Sequence, residues 1–254
     1  MANTVYDKKI IESVAKDELV TAVNTRALMT VDTSLTEESG MTKVINVYAY
    51  TGAAEELASG EGNSTRGSVA PTTAEYKVKR VQSNFDYTDE DFHADNNVVD
   101  HGVKGATNAL KNKMNADFAA ECAKATLKVA GPLSYDTIVD AIAELNIEDE
   151  SGIFVVIPND QKAELRKDPD YMAARQGDVV YTGQVGTVCG IPVIASKAFS
   201  DPYVMTKEAV RLMLKKDVEA GTDRDEDTCV NSVYVRAFYI CALTDATKIC
   251  KIGE

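Results

Sequence analysis

The chain has no tryptophan and only two histidines, His93 and His101, in 254 residues. A Ser-His-Asp set would need one of them as its base, and no G-x-S-x-G elbow supplies the nucleophile. The pair could share one face of a helix, but no third metal ligand is indicated. No apolar run approaches the roughly 20 residues that cross a bilayer. Residues 1–18 lack an apolar core followed by a small-residue cleavage site, so a protein made and kept in a cytoplasm is expected. Positive charge is also scarce, with 27 basic against 40 acidic residues and a net charge of -13. That balance argues against a dedicated nucleic-acid binder, which would carry a basic stripe. It favours solubility and mutual repulsion between free copies.

None of the five cysteines forms a CxxC pair. All but Cys229 lie in apolar surroundings, so buried free thiols are expected in preference to a disulfide framework or a zinc site. Phosphate-binding motifs fail on inspection. Gly62-Asn63-Ser64-Thr65-Arg66-Gly67 is followed by Ser68 and Val69, where a Walker sequence needs Lys and then Ser or Thr. Gly60-Glu61-Gly62 would open a dinucleotide fingerprint, but Thr65 stands at its last glycine and no buried strand feeds it. Asp223, Asp225 and Asp227 have calcium-loop spacing, yet Thr228 and Tyr234 occupy the positions of the required Gly and Glu. A solvated acidic turn is the better reading there. No cofactor is implied anywhere, and an enzyme is a poor fit.

What the chain does have is a long periodic segment over 88–127. Val99, Val103, Ala106, Leu110, Met114, Phe118 and Cys122 recur at steps of three or four, which puts them on one helical face. Asp89, Glu90 and Asp91 suit the positive end of a helix dipole at its start. A helix of about 30 residues would run roughly 45 Å. Gly102, Gly105 and the Asn96-Asn97 pair weaken its first third, where bending or fraying is expected.

Ahead of it, residues 6–23 predict a short amphipathic helix and residues 24–42 a polar, extended arm, ordered only against something else. Residues 43–50 read as a strand, and a second strand is expected over 75–87. The glycine-rich tip between them, 51–74, makes a protruding hairpin that must lean on a neighbour. After the helix the texture becomes α/β. Ser134 or Asp136 caps a helix to about Leu145. Residues 153–157 form a strand buried on both faces. Residues 159–175 form helix divided by Pro169, and residues 190–195 another buried strand. Strands over 211–217, 230–244 and 248–252 finish the chain, and no internal repeat is evident.

This order of parts resembles the major capsid proteins of tailed bacteriophages, whose fold is shared with encapsulin shells and the floor of herpesvirus capsids. The most telling stretch is Gly190-Ile191-Pro192-Val193-Ile194, then Asp201-Pro202-Tyr203-Val204 and a short helical Thr206-Lys207-Glu208-Ala209-Val210. After it come Thr222-Asp223-Arg224-Asp225 and Ala242-Leu243-Thr244-Asp245.

The resemblance implies an α+β fold in five parts. These are an N-terminal arm (1–42), an E-loop hairpin (43–87) and a P domain with a spine helix (88–132). An axial A domain (133–204) follows, then returning strands (205–254) that complete the P domain and add a last strand to the A domain. It implies a shell of pentamers and hexamers around double-stranded DNA, built in a bacterial cytoplasm. Partners would be copies of the chain, a portal, loosely held DNA and a separate scaffolding protein, since the hairpin begins too early to leave room for a fused one. Val47, Tyr48, Tyr50, Glu55, Glu56, Arg66, Tyr76, Lys77, Lys79 and Arg80 are then the expected assembly residues. Lys43, Lys77 and Lys79 are conceivable donors of a crosslink to a neighbour's Asn. An encapsulin-like compartment and a small α/β enzyme are the alternatives.

Overall fold

The computed structural model describes residues 15, 25–36, 40–95, 97–174 and 186–253. Apart from Ala15, the helix expected over 6–23 lies outside the described residues, as do Gly177 and Gly183.

Residues 25–36 are not a free polar arm. Leu28, Met29 and Leu35 are buried in the chain's own cores. Between them strand β1 (Thr30–Asp32) runs parallel to a later strand, Thr30 opposite Arg211. Arg26 adds a two-pronged ion pair to Asp217, 3.1 Å at each contact. Three apolar side chains thus suffice to dock a segment whose remaining residues are mostly polar.

Strands β2 (Thr42–Thr51) and β3 (Ser68–Lys77) pair antiparallel as a two-stranded hairpin. The second strand expected over 75–87 is therefore two strands. β3 ends at Lys77, and β4 (Lys79–Thr88) leaves the hairpin to join another sheet. The switch occurs at Val78, whose amide donates to the Met41 carbonyl at 2.8 Å.

Helix α1 (Asp89–Ala94) starts in a capping box, with Thr88 and Asp91 each bonding the other's backbone amide. Asp95 is extended and breaks the helix, so the spine is α2 (Val98–Cys122), 25 residues instead of the expected 30. Its buried stripe is the one the periodicity picked out. Gly102 has a packing reason. A Cβ there would lie 2.3 Å from the Phe85 ring, so the glycine lets that ring rest on the helix backbone.

The remaining elements are β5 (Leu127–Val129), α3 (Tyr135–Leu145), β6 (Ile153–Pro158), α4 (Lys162–Lys167), α5 (Pro169–Ala174), β7 (Thr187–Val188), β8 (Ile191–Ser196), β9 (Tyr203–Thr206), β10 (Val210–Asp225), β11 (Val230–Leu243) and β12 (Ile249–Ile252). Ser134 caps α3, in a box completed by Thr137. The segment 206–210, expected as helix, is a turn closed by Ala209 donating to Thr206.

Two larger sheets result. One has the order β1-β10-β11-β4; the other is β5-β12-β9-β6-β8-β7. Helix α2 covers one face of the first sheet, burying Val233, Val235, Ala237, Tyr239 and Cys241 on alternate positions of β11. Strand β6 explains how the two sheets share their cores. Phe154 and Val156 enter the core beneath α2, while Ile153, Val155 and Ile157 enter a second core under α3. Every residue of β6 is consequently buried. Phe118 of α2, Phe199 and Tyr203 of β9 stack edge to face across the seam, with centroids 5.4 and 5.7 Å apart.

Three cysteines, Cys122, Cys241 and Cys250, are buried as expected. Cys189 is not. It sits in an exposed two-residue turn between β7 and β8, where φ is +51° at Cys189 and +82° at Gly190. A hairpin connection of this kind needs positive φ at both central positions.

Candidate assembly surface

The hairpin has two different faces because side chains alternate along each strand. At its base, Ile45 and Tyr76 turn inward with Val78. They pack against Leu35, Met213, Ile240 and Ala242, on the far side of the four-stranded sheet from α2. The Tyr76 hydroxyl donates to the Leu243 carbonyl at 3.2 Å. This anchor holds the hairpin to its own chain.

The opposite face carries Val44, Tyr48, Tyr50 and Val69, with Tyr50 directly across from Val69. All four are exposed, Tyr48 at 64% and Tyr50 at 68%. Met41 and Leu57, at 50% and 43%, extend the same exposure to the base and the tip. Six of the eight large apolar side chains that stand exposed among the described residues belong to residues 41–69. Scattered exposed apolar groups need no explanation, but a concentration on one protruding element marks an interaction surface.

The tip is organised. The Thr51 and Ser68 hydroxyls meet at 2.8 Å where the ladder ends. The Tyr50 ring then lies over two glycines; a Cβ at Gly52 would fall 2.3 Å from its hydroxyl, and one at Gly67 2.6 Å. Beyond them the Glu55 carboxylate accepts from the Ser64 amide and hydroxyl, each at 2.7 Å, and from the Thr65 amide at 3.0 Å. These bonds, led by the Ser64 hydroxyl, pull its pKa down to about 2.

The ten residues expected to act in assembly therefore separate. Tyr48, Tyr50, Glu55, Glu56 and Arg66 lie on the exposed face or the tip. Val47 is in β2. Tyr76 is an internal anchor, and Lys77 is exposed at the end of β3. Lys79 and Arg80 are outside the hairpin, in β4. Lys79 lies 3.8 Å from Asp117 on α2. Arg80 lines a shallow groove of about 400 Å³ with Gln82, Leu110 and Lys113. Of the conceivable crosslinking donors, Lys43 sits at the hairpin base and donates to the Ser34 hydroxyl at 3.1 Å. Val44, Leu57 and Val69 belong to the exposed surface and were not among the ten. Period-two spacing with Tyr48 could have found Val44, and Leu57 is the one large apolar residue of the tip.

Asp223 and Asp225 lie at the exposed end of β10, and Asp227 in the exposed turn to β11. Among the described residues, no group of three or more His, Cys, Asp or Glu side chains is arranged to hold a metal. No helix among them is long and apolar enough to cross a membrane.

An anchored hairpin, a spine helix across a four-stranded sheet and a second mixed sheet together make the fold of tailed-phage capsid proteins. A chain of Mycobacterium phage Che8 superimposes with a TM-score of 0.68, at 16% identity over 85% of this chain and 86% of that one. The virus-like particle from Pyrococcus furiosus gives 0.69, at 11% identity over 98% and 100%. The sequence model of the phage capsid protein family matches residues 71–252, and the chain belongs to that family. It is also similar to the major capsid protein of Staphylococcus phage phiMR11, 25% identical over 237 residues, covering 88% of this chain and 84% of that one. The chain is accordingly a structural component of a phage capsid and not an enzyme.

Proposed function

We propose that this chain is the major capsid protein of a tailed phage, and that its copies close into an icosahedral shell of pentamers and hexamers around double-stranded DNA. The observation that carries the reading is the two-faced hairpin. Its base is fixed by Ile45 and Tyr76, while Tyr48, Tyr50 and Val69 stand exposed. A surface of this kind that docks on a different patch of the next copy makes a heterologous contact, and such contacts generate rings.

In this reading residues 42–77 form the E-loop, β4 and α2 with the four-stranded sheet form the P domain, and α3 with the six-stranded sheet forms the A domain. Residues 1–42 serve as the N-terminal arm, part of which is docked on the chain's own sheet. Assembly takes place in the host cytoplasm with a separate scaffolding protein and a portal. The acidic balance of the chain suits a wall that DNA must slide past, with any phosphate contact being loose and independent of sequence. An encapsulin-like compartment is the alternative reading, but the family and the curated relative favour the phage shell.

Electron microscopy and mass measurement of the purified chain test the proposal. Rings of five or six copies, or closed shells, support it. A chain that stays monomeric at every concentration, with or without scaffolding, contradicts it.

A further inference from the structure

We propose that Glu55 is a positioning residue for assembly, whose clasp on Ser64 and Thr65 pre-forms the hairpin tip so that Leu57 is offered to a second copy of the chain in one fixed place. The inference rests on the reading of the hairpin as an inter-subunit element. Residues 52–67 join β2 to β3 without regular secondary structure. A connection of that length, left open, would lose much conformational freedom on docking. Here it is closed in three steps. Tyr50 bridges Gly52 and Gly67 at the root. Glu55 then accepts three hydrogen bonds across the middle. At the end, Glu61 donates to the Ala58 carbonyl at 3.0 Å, a turn that Gly60 permits at φ +93°.

Leu57 lies between the clasp and the final turn, 43% exposed. The other residues of 52–67 are glycine, alanine or polar, so Leu57 is the only large apolar group the tip presents. A carboxylate acceptor is well chosen for this task, because hydrogen bonds to a charged oxygen are stronger than neutral ones. All of these contacts are exposed and touch none of the chain's cores, so the clasp shapes the tip without supporting the fold.

The test compares wild type with Glu55→Ala and Glu55→Gln, the conservative variant that keeps one acceptor oxygen. Hydrogen exchange at Ser64 and Thr65 is measured in the unassembled subunit, and the concentration threshold for assembly is measured by light scattering. Glu55→Ala should speed exchange at those two amides by about tenfold, a local opening that leaves the melting temperature unchanged. Its assembly threshold should rise several-fold, and Glu55→Gln should fall between Glu55→Ala and wild type in both readouts. Unchanged exchange overturns the proposal, and so does lost protection with an unchanged threshold. A deletion of residues 53–66 separates the two levels of inference. If the deletion assembles normally, the hairpin reading itself fails. If the deletion abolishes assembly while Glu55→Ala assembles as wild type, only the clasp is wrong.

Discussion

The phenol of Tyr239, in the middle of β11, donates a 2.8 Å hydrogen bond to the carboxylate of Asp117 on the spine helix. Both residues are buried. Lys113, one turn before Asp117, reaches the same carboxylate at 3.0 Å. Burial raises the Tyr239 pKa, with the hydrogen bond to Asp117 adding to it, so the phenol stays protonated and a donor. Tyr239→Phe removes the donor from a buried carboxylate and should destabilise the subunit by about 1–3 kcal/mol. Lys113→Ala, at a side chain 55% exposed, should cost no more than about 1 kcal/mol. Urea unfolding checks both, and a Tyr239→Phe variant as stable as wild type would show that the bond does not hold the helix.

Gly102 and Gly105 stand on the same helix and should respond oppositely to alanine. Nothing lies within 4 Å of a Cβ at Gly105, whereas one at Gly102 would meet the Phe85 ring at 2.3 Å. Gly105→Ala should therefore gain up to about 1 kcal/mol from helix propensity. Gly102→Ala should lose stability despite the same propensity gain, by about 1–3 kcal/mol of overpacking. Thermal melts of the two variants decide it; equal stabilisation would mean that Phe85 moves aside freely.

Asp89 ties the start of α1 to the β10–β11 turn. Its carboxylate takes two bonds from Arg224, at 3.1 and 2.9 Å, and one from Asn231 at 2.8 Å. The Arg224 bonds, followed by that from Asn231, hold its pKa below the ordinary 3.8. A depressed folded pKa gives stability that is present above the unfolded value and is lost as pH falls through the folded one. Wild type should therefore exceed Asp89→Asn in stability at neutral pH, and the gap should close below the ordinary carboxylate range. A gap that persists unchanged at strongly acid pH would contradict this origin.

Thiol reactivity should follow burial. Cys189 and Cys229 are exposed, and Cys122, Cys241 and Cys250 are buried. Burial pushes Cys241 up to about 12 and Cys250 up to about 11, and raises Cys122 further. Since the thiolate is the reactive form, iodoacetamide should label two sites quickly on the native subunit and all five after unfolding. Rapid native labelling of Cys122 would contradict the packing of α2 on β11.

Local sequence pattern located the spine stripe by its period, helix α3 by its cap and the doubly buried β6 by its continuous apolar run, because each is set by residues close in sequence. What it missed was decided by distant contacts. The alternation over 75–87 reads as one strand, yet Val78 is drawn to the cluster of Leu35, Met213, Ile240 and Ala242, and the chain changes sheets there. The polar texture of residues 24–42 hid Leu28, Met29 and Leu35, whose burial depends on β10 and α2. Asp95 ends the first helix with an extended backbone, next to the Asn96-Asn97 pair, whose weak helix propensity signals bending or fraying but not a full break. Cys189 was expected buried from its apolar neighbours, but the pairing of Val188 with Ile191 places it in an exposed turn. On the candidate assembly surface, residue type picks out Tyr48 and Tyr50, and both stand exposed. Tyr76, of the same type, points inward, and only the register of β2 against β3 distinguishes them.

If the hairpin of one copy joins it to the next, a chain without the tip cannot assemble. Residues 53–66 lie beyond the last rung of the ladder, Thr51 opposite Ser68, so their deletion leaves the strands and every core intact. The expected result is a folded, soluble subunit with wild-type melting behaviour that forms no shells by electron microscopy, where the intact chain does. Shells of normal size from the deleted chain would contradict it.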